Sequence, residues 1–245
     1  MIEPKVTVLT TVYNGLPYLK EAIDSTLDQT YGNFKYLIID DASPDPEVVK
    51  FIEKYDDPRI QLEVNEKNLG VSDTFNKAMT MIDTPYVVRV DQDDVNLPTR
   101  IEDQINFLDE NQDLSIVCSW EHTIDENGKK GHDWKNKIEN YGDFLAPIFL
   151  TLSPIWHPSI AFKKDALVDI GGFKREYTRA EDFDVTARLA LWRHSAAIIP
   201  KFHLLQRQHS KSQSKEFAKE QLKVCYQVQE ELIQHFLDEK KALEI

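Results

Sequence analysis

The sequence predicts an α/β fold in which helices flank a mostly parallel central sheet, with a helical extension at the C-terminus. Apolar, β-branched runs alternate with segments of helical periodicity from residue 5 to about residue 120, which is the pattern of βαβ units. The runs are nearly continuous, as strands covered on both faces are. Aspartates follow two of the runs, and open α/β sheets bind their ligands beyond the carboxyl ends of their strands.

The first half of the chain is predicted to alternate strictly between strands and helices. The opening strand, "KVTVLTTVY", leads into an Asn14-Gly15 turn and a helix with an apolar stripe. Pro98 is predicted near the first position of the last helix of this half. The predicted strands span residues 5–13, 34–43, 60–68, 86–94 and 114–122, and the predicted helices lie within residues 14–30, 44–55, 70–82 and 97–111.

The second half is less regular. The segment "DENGKKG" at 125–131 predicts a hairpin turn. Residues 158–173 predict a strand, a helix and a Gly-Gly turn, and residues 180–192 predict a helix with acids in its first turn. Residues 195–209 are strand-like, and apolar residues recur at helical spacing over 214–244, which predicts an amphipathic helix.

The composition excludes several classes of protein. A formal net charge of -13 argues against non-specific nucleic-acid binding, which needs a basic surface. Cys118 and Cys225 match no metal or disulfide spacing and are interpreted as reduced thiols. No apolar run reaches the roughly 18 residues of a membrane span, and the N-terminus enters a strand without a secretory signal. These observations predict a cytoplasmic protein.

Packed acids at the end of the fourth strand raise a question of charge. Asp91, Asp93 and Asp94 follow an apolar run directly, and neighbouring carboxylates do not stay ionised cheaply without a cation between them. On an extended segment, residues two apart point to the same side, so Asp91 and Asp93 would face one Mg²⁺ or Mn²⁺. The alternative is a solvated acidic turn, with Asp94 helping to cap the helix from Pro98.

Two long stretches carry a resemblance to a known family. "VTVLTTVYNGLPYLKEAIDSTLDQTYGNFKYLIIDDAS" and "VVRVDQDDVNLPTRIEDQINFLDEN" resemble the opening and the D-x-D-D segment of the inverting, Leloir-type glycosyltransferases of family 2. The resemblance covers residues 5–120 and returns at 150–215. It implies a GT-A fold and the metal-dependent, inverting transfer of a sugar, with a UDP-sugar as the expected donor.

The resemblance assigns residues to the nucleotide. Tyr13 would lie near the uracil, with Thr11 adding polar contacts. Asp41 would accept a hydrogen bond from the base N3–H, with Asp40 beside it, and a carboxylate suits such a donor. Gly70 would allow close approach of the backbone. The alternative for the two aspartates is capping of the helix that follows them.

A metal and diphosphate site is implied as well. Asp91 and Asp93 would hold Mn²⁺ or Mg²⁺, with His209 as a further ligand, while Asp91 and Gln92 also border the nucleotide. Arg207 would face the diphosphate, which its forked guanidinium fits. A surface basic turn is the alternative for the cluster of Arg207, His209, Lys211 and Lys215.

The residues implied to contact the sugar and the acceptor lie in the second half of the chain. In the resemblance, Asp182 is the catalytic base that takes a proton from the acceptor hydroxyl, and Glu181 orients the acceptor or holds the helix start. Trp156 and His157 would lie near the acceptor or donor sugar. Complementarity to a helix dipole is the alternative for both acids, and a structural role is the alternative for His157.

The resemblance divides the chain into a GT-A domain, 1–213, and a C-terminal amphipathic helix, 214–245. The domain would have a nucleotide-binding half, 1–120, and an acceptor-binding half, 121–213. The acceptor is expected to be a glycan, a lipid-linked or a protein-linked hydroxyl, and the source bacterial.

Other interpretations stay open at this point. The C-terminal helix is expected to pack on its own domain, with a homo-oligomer or a peripheral contact at the inner face of the membrane as alternatives; its acids argue against an anionic membrane surface. For the chain as a whole, the alternatives are a non-catalytic binding or assembly protein with this fold, or a nucleotidyltransferase.

Overall fold

A computed structural model describes residues 3–150, 153–209 and 218–243 of the chain. Within these ranges, nine strands form one sheet. The strands are β1 (Val6–Val12), β2 (Phe34–Asp40), β3 (Ile60–Val64), β4 (Tyr86–Arg89), β5 (Val95–Asn96), β6 (Leu114–Ile124), β7 (Lys130–Trp134), β8 (Ala161–Lys163) and β9 (Ser195–Arg207). The helices are α1 (Leu16–Leu27), α2 (Glu47–Ile52), α3 (Val71–Met81), α4 (Arg100–Glu110), α5 (Tyr141–Leu145), α6 (Lys164–Asp169), α7 (Glu181–Leu191) and α8 (Ala218–Leu243).

The strand order is β3-β2-β1-β4-β8-β6-β9-β5, with β7 pairing to β6. The first four strands are parallel. Val12 is level with Asp40, and Asp40 is level with Val64, so the carboxyl ends of β1, β2 and β3 meet at one edge. This arrangement gathers the segments after these strands at that edge, as the sequence predicted.

The other side of the sheet is mixed. Strand β8 runs antiparallel to both β4 and β6, β6 runs parallel to β9, and β5 pairs antiparallel with β9. The hairpin turn between β6 and β7 is confirmed, because the Asp125 amide donates to the Lys129 carbonyl oxygen at 3.0 Å. Strand β5 was not predicted, since two residues carry no periodicity.

Alternate residues of the strands pack into two hydrophobic cores, one on each face of the sheet. Val8 of β1 packs with α1 and α4 residues such as Ile23 and Ile105, whereas Leu9 packs on the opposite face with Phe75 of α3. Helix α4 begins at Arg100 after an N-cap at Thr99. Pro98 therefore lies two residues before the start of the helix, close to its predicted position.

The described part of the C-terminal helix packs on its own domain. Its residues Cys225, Val228 and Leu232 are buried in the core cluster that includes α7. Residues 210–217 lie outside the described ranges, and with them the predicted start of this helix at Ser214 and the predicted basic residues Lys211 and Lys215. An oligomer through this helix stays a prediction, as does the domain division.

Two further sequence observations have structural counterparts. Cys118 and Cys225 are both free and buried. Of the helices in the described ranges, none is long and apolar enough to cross a membrane. The cytoplasmic location and the peripheral membrane contact stay predictions.

Candidate active site

Asp41, just beyond β2, organises the loop that leads into α3. One carboxylate oxygen accepts from the side-chain amide of Asn65 and the backbone N–H of Leu69, both at 2.8 Å, and the other accepts from the N–H of Gly70 at 2.9 Å. Gly70 has a φ of +81°, a backbone conformation that glycine adopts without strain. The carboxylate is thus fixed at the start of α3, at the edge predicted to hold the nucleotide.

Asp40, its neighbour, is fully engaged with the turn after β2. Its carboxylate accepts from the Ser43 N–H at 3.0 Å and from the Ser43 hydroxyl at 2.5 Å. The Ser43 hydroxyl oxygen in turn accepts from the N–H of Asn14 at 3.0 Å. Asp40 thereby ties the end of β2 to the end of β1. It does not cap α2, whose N-cap Pro46 has no side-chain hydrogen bond, so the capping alternative is wrong for Asp40.

Gln92 fixes the backbone of Tyr13. Its side-chain oxygen accepts from the Tyr13 N–H at 2.9 Å, and its side-chain nitrogen donates to the Tyr13 carbonyl at 3.2 Å. A Cβ on Gly15 would meet the Gln92 amide oxygen at 2.5 Å, so the glycine makes room for this clip. The Tyr13 side chain is 44% exposed, and Thr11 is half-buried near the end of β1.

The acidic segment after β4 is a turn, which corrects the extended strand that was expected to reach residue 94. Strand β4 ends at Arg89, and the Asp94 amide donates to the Asp91 carbonyl oxygen at 3.3 Å. The argument that Asp91 and Asp93 share one face of a strand is therefore wrong. Repelling carboxylates separate more easily in a turn than along a strand, where the side chains would be held parallel.

The carboxylates of this turn still influence one another. Burial raises the pKa of Asp93, and the nearby Asp91 raises it further, while His209 opposes this. Burial also raises the pKa of Asp94 well above its usual value, with Asp93 and Asp91 adding to the effect. Negative charge is therefore crowded at the end of β4, in a place where a cation would relieve it.

Arg89 joins the acids of the two halves of the site. Its Nε and one terminal nitrogen donate to the two carboxylate oxygens of Asp91 at 2.7 and 3.1 Å. Burial lowers the pKa of Arg89, but the negative charges of Asp91, Asp182 and Glu181 outweigh it and raise the pKa. The guanidinium of Arg89, whose side chain is 16% exposed, therefore lies in the combined field of Asp91, Asp182 and Glu181.

Arg207 is placed differently from its predicted contact with the diphosphate. Its side chain is 1% exposed. The guanidinium donates to the Glu21 carboxylate at 2.8 Å and to the backbone oxygens of Asp93 and Asp125 at 3.0 and 3.2 Å, and lies 4.5 Å from the Tyr18 ring centre. In this conformation it stabilises the acidic turn through the Asp93 carbonyl, because carbonyl and carboxylate oxygens occupy the donor positions of its guanidinium.

His209 lies beside the acidic turn, as predicted. Its Nε2 is 2.9 Å from a carboxylate oxygen of Asp93, and its ring centre is 5.3 Å from that of Tyr18. The imidazole and the carboxylate together offer one nitrogen and one oxygen to a cation.

Asp182 and Glu181 occupy the first turn of α7. A carboxylate oxygen of Asp182 accepts from the Phe183 N–H at 2.8 Å, and one of Glu181 accepts from the Arg179 N–H at 2.8 Å. The position agrees with the helix-dipole alternative, and the catalytic role of Asp182 stays a prediction. Burial raises the pKa of Glu181, and Asp182 adds to this.

His157 is hydrogen-bonded to α7 through Thr186. Its Nε2 is 2.8 Å from the Thr186 hydroxyl, which donates to the Asp182 carbonyl oxygen at 2.8 Å. Burial lowers the pKa of His157 to about 4, although Asp182 opposes the shift. The ring is neutral at physiological pH, and its placement matches the structural alternative. Trp156 packs on Trp134, with ring centres 4.7 Å apart.

A cleft of about 370 Å³ opens beside these groups. Its lining includes Tyr13, Asp41 and Gly70 from the first half of the chain, and Arg179 and Glu181 from the second half. The cleft is thus bounded by residues that the sequence assigned to the two separate halves of the chain.

The sequence is similar to that of a known protein family. Residues 7–171 match the family model described as glycosyl transferase family 2. The chain belongs to this family. A UDP-Gal:alpha-D-GlcNAc-diphosphoundecaprenol beta-1,3-galactosyltransferase of Escherichia coli is 31% identical over 205 residues, which cover 79% of this chain and 68% of that protein.

Two solved structures share the fold of this glycosyltransferase. TarS of S. aureus in complex with UDP has a TM-score of 0.71 at 22% identity, covering 91% of this chain and 65% of that one. A mannosyltransferase of Pyrobaculum calidifontis in complex with GDP-Man and Mn²⁺ has a TM-score of 0.63 at 20% identity, covering 86% and 59%. The chain spans less than two thirds of either solved chain. The predicted family and GT-A fold are confirmed.

The acidic turn and His209 offer donor atoms to a metal ion. Across residues 3–150, 153–209 and 218–243, no group of three or more His, Cys, Asp or Glu side chains is arranged to hold one. Asp93 and His209 offer two donor atoms, with Asp91 adjacent but paired to Arg89. Magnesium-type sites use one or two carboxylates and complete their shell with water and substrate phosphates. The residues fit a cation of that kind.

Arg89 is one residue of this site that the sequence analysis missed. A single charge inside an otherwise apolar strand, two residues before the first acid of the D-x-D segment, was the available signal. Ser43 and Asn65 were missed too, because their role is to hold other polar groups and no sequence spacing marks it.

Proposed function

We propose that this glycosyltransferase transfers a sugar, with inversion at the anomeric carbon, from a nucleotide-sugar to a hydroxyl of a glycan, lipid-linked or protein-linked acceptor. A UDP-sugar is the proposed donor. The observation that carries the proposal is Arg89, which bonds to Asp91 and lies in the field of Asp182 and Glu181. A metal-binding acid and a general base must lie close together if they serve the two ends of one displacement.

The nucleotide would enter between the ends of β1 and β2 and the start of α3. One oxygen of Asp41 accepts two hydrogen bonds and the other accepts one, so the second oxygen has a lone pair that can also accept from a base N3–H. Tyr13 is exposed beside it, with a backbone fixed by Gln92. The similar galactosyltransferase of Escherichia coli uses UDP-Gal, and TarS binds UDP, which agrees with this nucleotide.

A divalent cation, Mn²⁺ or Mg²⁺, would be held by Asp93 and His209, with Asp91 beside them. When bound, such a cation acts as a Lewis acid that neutralises charge on the departing diphosphate. The chain's own part is to keep the turn at Asp91–Asp94 in place, which Arg207 does through the Asp93 carbonyl. We assign Arg207 to this positioning role.

Asp182 is the proposed base. Its carboxylate lies at the start of α7 and would take the proton of the acceptor hydroxyl as that oxygen attacks the anomeric carbon. Attack comes from the side opposite the diphosphate, so the configuration inverts. Glu181 lines the cleft and would orient the acceptor, while neutral His157 holds α7 through Thr186. Trp156 is proposed to lie at the sugar or acceptor.

The test is Asp182→Asn, assayed by release of UDP or GDP from a panel of nucleotide-sugars and by NMR of the product anomer. A missing base should lower turnover by about 10²–10⁴-fold and leave nucleotide affinity unchanged. Asp165→Asn is the matched control, because Asp165 lies in the first turn of α6 and tests the helix-dipole effect alone. Full activity of Asp182→Asn would remove it as the base, and a wild-type protein that binds nucleotide without turnover would favour the non-catalytic alternative.

A further inference from the structure

Three consecutive carbonyl oxygens before β8 accept hydrogen bonds from side chains of α4. A terminal nitrogen of Arg100 donates to the Pro158 oxygen at 2.9 Å and, more weakly, to the Ile160 oxygen at 3.4 Å. The side-chain nitrogen of Gln104 donates to the Ser159 oxygen at 2.6 Å. Arg100 and Gln104 lie one helical turn apart on the same face of α4, and both are fully buried. Helix α4 therefore holds this segment from within the protein.

The guanidinium of Arg100 also reaches both ends of the acidic segment. It donates to the Arg89 carbonyl oxygen at 2.7 Å, where β4 ends, and to the side-chain oxygen of Asn96 at 2.6 Å, in β5 beyond the turn. Its hydrogen bonds in the described ranges all go to neutral oxygens. Burial lowers the pKa of Arg100 to about 10, and the charges of Glu121 and Asp94 oppose the shift. Arg100 thus places a positive charge close to the crowded acids.

The segment held by α4 contacts the helix of the candidate base through His157. The His157 Nε2 lies 2.8 Å from the Thr186 hydroxyl oxygen, and that hydroxyl donates its one hydrogen to the Asp182 carbonyl oxygen. The imidazole must therefore be the donor to Thr186, so neutral His157 carries its proton on Nε2. Both side chains are buried, which fixes the first turns of α7 against the segment.

A buried side-chain amide can also serve stability alone, and the chain offers one for comparison. Gln29, just after α1, is buried as well. Its side-chain nitrogen donates to the Leu97 carbonyl oxygen at 2.8 Å, and its side-chain oxygen accepts from the Ile101 N–H at 3.0 Å. These bonds join α1 to the start of α4. Gln104 differs because it reaches the segment that contacts α7.

We propose that Arg100 and Gln104 are positioning residues that keep Asp182 aligned with the acidic turn. The inference rests on the proposed function and adds two residues to it. An in-line displacement needs the base and the cation on opposite sides of the anomeric carbon, at a fixed separation. Arg100 is bonded to both ends of the acidic segment and to the segment that holds α7, so it links the two parts of the site directly.

The test uses Gln104→Met, because truncation of the fully buried Arg100 would test the fold rather than the site. The variant keeps the length of the side chain but has no donor for the Ser159 oxygen. Turnover is measured as release of UDP or GDP from the nucleotide-sugar that the wild-type protein consumes fastest, and affinity for that nucleoside diphosphate by calorimetry with Mn²⁺. We expect kcat to fall about 10–100-fold, since small misplacements of reacting groups are costly, and the Kd to stay within about twofold.

Gln29→Met is the matched control, because it removes the bonds of another buried amide at α4. Both variants should lower the melting temperature by about 2–8 °C, but only Gln104→Met should slow turnover. In the Asp182→Asn background, Gln104→Met should cause no further loss, because a residue that acts through the base has no effect once the base is absent.

A second readout needs no donor sugar. Nitrogen-15 NMR of the His157 ring should show a proton on Nε2 in the wild-type protein and in Gln29→Met. Gln104→Met should show a mixture of the two tautomers, because the released segment no longer holds the imidazole against Thr186.

Three results would overturn the inference and leave the proposed function standing. They are turnover by Gln104→Met at the rate of Gln29→Met, a loss that multiplies with that of Asp182→Asn, and an unchanged His157 tautomer in Gln104→Met. Full turnover by Asp182→Asn, or no turnover by the wild-type protein, overturns both.

Discussion

Two strands of the sheet end in paired acids, and the two ends behave differently. After β2, Asp40 and Asp41 accept five hydrogen bonds from Ser43, Asn65, Leu69 and Gly70. After β4, Asp91 is paired with Arg89 and Asp93 with His209, and burial and mutual repulsion raise the pKa of Asp93.

The difference lies in the donors. Loop N–H groups, a side-chain amide and a hydroxyl stabilise the first pair without any added ion, so those carboxylates shape the loops after β2 and before α3. The second group holds more negative charge than its nearby donors balance. An identical sequence signature, a buried strand followed by aspartates, can therefore build a loop or leave a place for a cation.

The largest effect is expected from removing the cation site. Asp93→Ala should lower sugar transfer by about 10²–10³-fold, because the Lewis acid contributes several kcal/mol to the barrier. The melting temperature without metal should change by no more than about 2 °C, since a repelling carboxylate is removed together with its bond to His209. Steady-state assays against Mn²⁺ concentration measure the first, and thermal denaturation the second.

Asp113→Ala removes an exposed aspartate after α4 and serves as the control for net charge. Transfer by Asp93→Ala at the wild-type rate, with the same Mn²⁺ dependence, would move the cation elsewhere and break the comparison.

The opposite pattern is expected at the end of β2. Asp41→Ala leaves the N–H groups of Leu69 and Gly70 without their acceptor, which should cost about 3 kcal/mol of unfolding free energy. For a chain of this size the melting temperature should fall by roughly 6–12 °C. Urea denaturation followed by circular dichroism measures the change, and unaltered stability would show that the loop holds itself.

The smallest effect concerns pH. Glu121 of β6 is buried, and its carboxylate oxygens have no hydrogen-bond partner among the described residues. Burial raises its pKa from 4.5 to about 8, with Arg100 opposing and Asp91 adding to the shift. The folded protein therefore holds a proton that the unfolded chain has released, and the free energy of unfolding should fall as pH rises from 4.5 to 8.

Glu121→Gln keeps the shape and removes this titration. Denaturation at pH 6 and pH 9 should show a smaller loss of stability for the variant than for the wild-type protein. Equal losses would mean that Glu121 ionises in the folded state without cost, and that the crowding of charge does not extend inward from Asp91.

Much of the fold followed from the sequence, because long apolar runs and helical stripes report burial directly. Strand β5 did not, since its two residues, Val95 and Asn96, are defined by pairing with β9. The turn at Asp91–Asp94 did not either: a strand pattern runs into it without a glycine or proline to mark the end.

The site was predicted at the level of which segments meet, and less well at the level of contacts. Asp41, Gly70 and Glu181 do line one cleft. Arg207 was expected to face the diphosphate but is buried against other oxygens, because its partners Glu21 and Asp125 come from distant segments. Whether a basic side chain contacts a ligand or a carboxylate of its own chain depends on its neighbours in the folded protein. A local sequence pattern does not show these neighbours.

The proposed function depends most on a divalent cation that binds the acids after β4 together with the nucleotide. The direct measurement is calorimetric titration of UDP, GDP and dTDP into the wild-type protein, each with and without Mn²⁺. We expect UDP to bind tightly with Mn²⁺ and weakly without it, and we expect GDP and dTDP to bind more weakly than UDP. Equal UDP affinity in both conditions would contradict it, and would make Asp91 and Asp93 a solvated acidic turn.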